Sequence, residues 1–176
     1  MQLFWGKGYE ATSLQDLLEA TGLSKSSLYE SFGNKQSLFE ASFTRYFETR
    51  AKQMRELLVQ ADSPLGFVRE CLLSVFEDAQ LNTPRGCMLV NVANEFSTRD
   101  PSVQRLIELA TQRFHELFEH AFALAQTRGE MADTRTPLEL ARYLHCVMSG
   151  LRTQTKSGLG RQELISVIDM VMATLH

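Results

Sequence analysis

"LSKSSLYESFGNK", Leu23 to Lys35, is the stretch on which the fold turns. It carries five hydroxyl-bearing residues, Ser24, Ser26, Ser27, Tyr29 and Ser31, and two lysines, yet both flanks have helical spacing. Serine competes with the backbone for hydrogen bonds and is a middling helix former. A helix made only for packing would carry more leucine and alanine. One that must approach another molecule closely, and donate hydrogen bonds to it, is built of small polar side chains.

The neighbouring punctuation is helical throughout. Thr12 with Gln15 reads as a capping box that opens a helix, and Gly22 closes it. Leu14, Leu17 and Leu18 give that helix one apolar stripe. Ser24 caps the short helix in question, Gly33 ends it, and Asn34 caps a longer one carrying Leu38, Phe39, Phe43 and Phe47. Three later starts, Ser63-Pro64, Asp100-Pro101 and Thr136-Pro137, each set a capping side chain before a proline at the first helical position. The run "KSGLG", Lys156 to Gly160, separates the last two helices. No strand pattern or repeat interrupts the series, so the expected fold class is all-α.

At 176 residues the length suits one domain or two small ones. No run of about 18 apolar residues marks a membrane helix. The start "MQLFWGKGYE" lacks a signal-peptide pattern, which predicts a cytoplasmic protein with no membrane partner. Cys71, Cys87 and Cys146 form neither a disulfide framework nor a metal-binding pair. Net charge is −3 overall, and residues 1–46 set four cations against five carboxylates. A case for nucleic acid therefore rests on the placement of charge, not its amount.

Two short helices joined by "TGLS", Thr21 to Ser24, match the helix-turn-helix plan, whose second helix enters the major groove of double-stranded DNA. Ser24, Ser26 and Ser27 keep that helix slim and offer hydroxyls to phosphates or base edges, while Leu28 and Phe32 face inward. Lys25 and Lys35 supply charge to the DNA backbone, Lys35 from the first turn of the next helix.

The run "FWGKGYEATSLQDLLEATGLSKSSLYESFGNKQSLF", Phe4 to Phe39, resembles the DNA-binding domain of TetR/AcrR-family transcriptional regulators. Gly8-Tyr9, Thr12-Ser13, Gly22-Leu23-Ser24, Leu28-Tyr29, Phe32 and Lys35 fall at that family's spacing. The resemblance implies that Thr12 and Ser13 touch phosphate, that Ser26, Ser27, Tyr29 and Ser31 face the groove, and that Lys35 clamps phosphate. Glu30-Ser31 departs from the aromatic or histidine of many members, so base preferences do not carry over. Members begin with further helix and a basic arm, and Met1 falls in the middle of that first helix, which is thus expected to be truncated. The implied organisation is a DNA-binding domain over residues 1–46 and a helical ligand-binding and dimerisation domain over 47–176. Arg85 to Val103 and Ser149 to Leu164 further resemble a subgroup with electrophile- and copper-responsive repressors.

Within the second domain, Phe67, Cys71, Phe76, Cys87, Phe96, Phe114, Phe118, Phe122 and Tyr143 are candidates to line a cavity for a small-molecule inducer, and plain core is the alternative for each. Asn91, Asn94, Glu95 and His145 are polar groups that would orient such a ligand, or cap and bridge helices. Apolar stripes Leu140, Leu144, Val147, Leu151 and Leu164, Ile168, Val171, Leu175 are broad enough to pack inward and outward, and predict a four-helix interface between two copies. Cys87 follows Arg85-Gly86 after the Thr83-Pro84 break, a spacing that predicts the first turn of a helix, where dipole and cation favour thiolate. A small buried hydrophobe is the other reading of Cys87. Cys71 and Cys146 are expected to be inert within apolar stripes.

His115 and His120 flank "HELFEH", but a spacing of five sets them about 140° apart around a helix, so no shared metal is expected. No phosphate loop or G-x-S-x-G elbow occurs, and nothing implies an enzyme or a cofactor. The leading reading is a ligand-responsive regulator that releases a palindromic operator. An all-α interaction protein without DNA binding, and activator rather than repressor action, are the readings that compete with it.

Overall fold

The computed structural model describes residues 1–76, 85–96, 100–132 and 135–175, and the Thr83-Pro84 break lies outside them. Among the described residues the helices are α1 (Gln2–Lys7), α2 (Leu14–Thr21), α3 (Lys25–Phe32), α4 (Lys35–Gln60) and α5 (Pro64–Leu73). They continue as α6 (Met88–Phe96), α7 (Pro101–Thr127), α8 (Pro137–Lys156) and α9 (Arg161–Leu175). The described residues contain no strand, and none of these helices is long and apolar enough to cross a membrane.

Local chemistry sets most of these boundaries. The Ser63 side chain accepts from the Gly66 N–H with Pro64 following it, and Thr136 forms a reciprocal box with Glu139. Asn34 Oδ1 accepts from the Ser37 N–H at 2.9 Å at the start of α4. Gly22 closes α2 at φ 68°, ψ 11°, a left-handed geometry that a side chain would strain. The capping box of α2 lies one residue later than expected. Ser13 Oγ accepts from the Asp16 N–H at 3.1 Å, and Asp16 Oδ2 accepts from the Ser13 N–H at 2.8 Å. Thr12 is fully buried, and its hydroxyl donates to the Gly8 carbonyl at 2.6 Å. A buried hydroxyl must find such a partner, and this one is no longer free to cap.

The chain divides into two compact units: Met1–Arg50 with Met88–Ala110, and Ala51–Cys87 with Thr111–His176. A cut at 46/47 follows the chain, whereas compactness also gathers α6 and the start of α7 with the first unit. Aromatic packing explains why. Phe96 of α6 lies 4.8 Å from the Tyr9 ring and 5.1 Å from Phe39, which in turn contacts Phe4 at 5.3 Å. Phe96 is therefore core of the first unit and not part of an inducer cavity.

In the second unit α5 packs against α9, and one core gathers Val68 and Leu72, Phe118 and Phe122, Leu144, and Ile168. The stripes expected to join two copies are spent here. Leu140, Leu144, Leu151, Leu164, Ile168, Val171 and Leu175 are each at most 4% exposed within one protomer, and Val147 packs partly buried against them. Each such side chain gains roughly 1.5–3 kcal/mol by leaving water, a gain already taken inside the chain. The outer faces carry different residues: exposed Tyr143, Cys146 and Gly150 on α8, and exposed Val167 and Met170 on α9.

Candidate nucleic-acid interface

The reading helix α3 is held by one anchor. Leu28 is fully buried and Phe32 partly so, while Lys25, Ser26, Tyr29 and Ser31 are exposed and Ser27 is half-buried. Ser24 supplies the cap, its Oγ accepting from the Ser27 N–H at 3.1 Å. The same oxygen lies 2.9 Å from the hydroxyls of both Ser26 and Ser27, so three hydroxyls cluster on the first turn. Lys25 Nζ stands 6.0 Å above the Tyr29 ring, which brings a cation and a phenol to one side of the helix. No bulky side chain occupies this face except Tyr29, and a groove can come close to it.

Two further elements frame α3. Ser13 sits exposed at the start of α2, where it caps the helix as described. Thr12, expected beside it at phosphate, has no side-chain surface to offer. Lys35 opens α4, and its Nζ lies 4.4 Å above the Tyr9 ring and donates to the Glu10 carbonyl at 3.4 Å. The carboxylate of Asp16 accepts from Lys7 at 2.6 Å, and hydrogen bonds from Lys7 and Ser13 hold its pKa down at about 2. That pairing takes one cation and one carboxylate out of the field together, so the balance of residues 1–46 is unchanged and the case for DNA rests on where Lys25 and Lys35 stand.

Glu95, expected to orient a ligand or to cap and bridge helices, takes a role of the second kind. Its carboxylate accepts from the backbone N–H groups of Tyr9, at 2.7 Å, and Glu10, at 2.6 Å, and is thus spent on the turn between α1 and α2. No motif announces such a contact, because the partners are main-chain groups far along the chain.

The effector candidates fall into distinct groups. Phe67, Phe118 and Phe122 are buried core, with Phe67 stacked on Phe118 at 5.7 Å, and Cys71 and Phe76 are buried as well. Tyr143 is 37% exposed on the outer face of α8 and lines no interior space. Phe114 is only partly buried and lies 4.6 Å from the His145 ring. His145 Nδ1 in turn lies 3.2 Å from His115 Nε2. Burial lowers the pKa of both imidazoles. One turn further along α8, Ser149 Oγ lies 3.8 Å from Cys87 Sγ. Cys87 stands just before α6, not in its first turn, and is half-buried. Cys146, expected to be inert, is the exposed thiol.

Comparison with known proteins gives this arrangement a family. Residues 1–42 match the family model described as bacterial regulatory proteins, tetR family, and residues 67–162 match that of a tetracyclin repressor-like C-terminal domain. The HTH-type transcriptional repressor ComR of Escherichia coli (strain K12) is 29% identical over 171 residues, spanning 95% of this chain and 80% of ComR. The uncharacterized HTH-type transcriptional regulator YezE of Bacillus subtilis (strain 168) is 30% identical over 181 residues, spanning 99% and 91%. Among solved structures, a cysteine mutant of the TetR-family regulator CifR in complex with a 26-base-pair operator DNA superposes with a TM-score of 0.84 at 27% identity, covering 99% of this chain and 91% of CifR. With α2 and α3 built as they are, and both regions matched, the chain belongs to the TetR family of DNA-binding bacterial transcriptional regulators.

Proposed function

We propose that the chain acts as a homodimeric repressor in the cytoplasm, holding a palindromic operator until a small molecule or electrophile releases it. The observation that carries this reading is the exposed face of α3, small and hydroxyl-rich on a single buried anchor. In it Ser24, Ser26, Ser27, Tyr29 and Ser31 meet the groove, with Ser13, Lys25 and Lys35 at phosphate. ComR is named a repressor, and CifR was captured on operator DNA, which supports both halves of the reading. Residues 1–46 carry the DNA contacts, and residues 47–176 bind the effector and the second copy.

The self-association face we assign is the outer one, with Tyr143, Cys146 and Gly150 on α8 and Val167 and Met170 on α9. Nothing lies within 4 Å of the place a Gly150 side chain would take, which leaves room for a partner helix to approach closely. A palindromic operator calls for two copies, with its half-sites about 34–36 Å apart or a multiple of that spacing. The effector acts only through a difference in affinity between the DNA-competent state and the released one. Its contacts fall along Phe114, His145 and the Cys87–Ser149 pair, where the side chains are neither fully buried nor on the outer surface.

A mobility shift on the DNA upstream of the chain's own gene, titrated with salt, tests the central claim. Specific binding is expected to weaken steeply with salt, and Lys25→Ala to flatten the slope by about 0.9, the effect of one phosphate contact. Tyr29→Phe is expected to reduce binding to the operator more than to random DNA. Indifference to both substitutions would remove α3 from the interface.

A further inference from the structure

The turn between α1 and α2 is gripped from two sides. Gly8 ends α1 at φ 88°, which swings the chain so that the N–H groups of Tyr9 and Glu10 point the same way. Successive amides in such a turn form a concavity that attracts an anion. The anion here is internal, for Glu95 of α6 places one carboxylate oxygen on each N–H, at 2.7 and 2.6 Å. A Cβ at Gly8 would come within 3.2 Å of that carboxylate, so the close approach depends on glycine as well as on Glu95. On the other side of the same turn, Lys35 donates to the Glu10 carbonyl and lies over the Tyr9 ring. A carboxylate and an ammonium thus clasp one peptide segment between them.

We propose that Glu95 is a positioning residue for DNA binding: by fixing Tyr9 and Glu10 it holds the Lys35 ammonium where it meets a phosphate. The proposal rests on the operator-binding reading above. Glu95 touches no DNA in this scheme; it acts through the turn. Hydrogen bonds from backbone N–H to a carboxylate are among the stronger kinds, so the turn tolerates little displacement while both are made. With one of them removed, Lys35 keeps its charge but loses the ring and carbonyl that aim it.

Glu95→Gln is the informative variant, since it is isosteric. It leaves one acceptor oxygen and sets an amide donor against the other N–H. Operator affinity is expected to fall about tenfold. The salt slope is expected to drop by about 0.9, as for loss of one phosphate contact. Lys35→Ala should do the same, and the double variant Lys35→Ala with Glu95→Gln should bind no more weakly than Lys35→Ala alone. Additive losses in that cycle, or operator binding by Glu95→Gln equal to that of the unaltered chain, would overturn the proposal.

Amide hydrogen exchange without DNA separates positioning from general stability. Glu95→Gln should speed exchange at Tyr9 and Glu10 and leave α3 protected. Loss of protection across α3 as well would make Glu95 a plain stability residue and overturn the proposal. If the unaltered chain failed to bind its operator, the operator-binding reading would fall, and exchange at Tyr9 and Glu10 would still report whether the clamp exists.

Discussion

The reading helix α3 and the final helix α9 are both amphipathic, and they spend their surfaces in opposite ways. Among its eight residues α3 buries Leu28 fully, and a serine cluster stabilises its start. By contrast α9 buries Leu164, Ile168, Val171, Met172 and Leu175 in the core of the second unit, and keeps Val167 and Met170 outside. A helix that must meet a second molecule gives up most of its own burial, because a side chain committed to a core has nothing to offer outward. A helix that holds a domain together can also meet a partner, but only with residues on its other face. Stability is therefore lent to α3 by its neighbours and generated by α9.

The sharpest way to break this contrast is to place charge on the two faces of α9. Ile168 is fully buried, so Ile168→Glu leaves an unpaired carboxylate in an apolar core, a cost of several kcal/mol against a total stability of about 5–15 kcal/mol. That variant is expected to unfold the second unit. Met170 is 68% exposed, so Met170→Glu should alter protomer stability by no more than about 0.5 kcal/mol. It is nonetheless expected to yield monomers in sedimentation and to lose operator binding. A dimer that survives Met170→Glu unchanged would move the interface away from the outer face of α9.

On α3 the expected effect is smaller and more local. Truncating a buried leucine costs about 2–5 kcal/mol, and Leu28→Ala removes the anchor of a helix that has little else. Hydrogen exchange should show α3 losing protection while α8 and α9 keep theirs. Global unfolding in place of this local loss would mean that α3 draws on more support than Leu28 and Phe32 provide.

What the sequence disclosed, and what it hid, follows the same physical line. The reading helix, its Ser24 cap and the glycines at 22 and 33 are matters of local chemistry, and each stands where the spacing puts it. The start of α2 was ambiguous because Thr12 with Gln15 and Ser13 with Asp16 both satisfy a capping pattern. Only the burial of Thr12 decides between them. The stripes of α8 and α9 announce burial, but periodicity does not say whether the cover comes from the same chain or another. Cys146 was legible in principle: two positions past Leu144 it lies about 200° around the helix, on the opposite face. For Phe96 core and for Glu95 bridging stood among the readings, but their partners were not legible, since Tyr9, Glu10 and Phe39 fold onto α6 from far along the chain.

Acid should separate the two units, with the smallest effect of those considered. In the first unit the Asp16 carboxyl is held at about 2, chiefly by the Lys7 hydrogen bond and then by the N–H and hydroxyl of Ser13. A carboxylate depressed in this way stabilises the fold fully above its ordinary value of 3.8, and that contribution is lost as pH falls through about 2. In the second unit His115 and His145 are lowered from 6.5, first by burial. Arg142 adds to the effect at His115, Glu119 opposes it, and His115 itself adds to the effect at His145. Here the neutral imidazoles belong to the folded state, so stability is complete above 6.5 and is eroded as pH falls below it. Geometry agrees, because the 3.2 Å contact between Nε2 and Nδ1 needs one nitrogen as an acceptor, and two imidazolium rings would face each other with N–H groups. Moving from pH 7.5 to 5.5 should therefore loosen α7 and α8 around residues 115 and 145, while the α2 box stays intact. Amide exchange, corrected for the intrinsic effect of pH, reads the difference, and His145→Gln should remove most of it. Protection lost first at Ser13 to Thr21, or equally in both units, would show that the imidazole pair does not set the acid response.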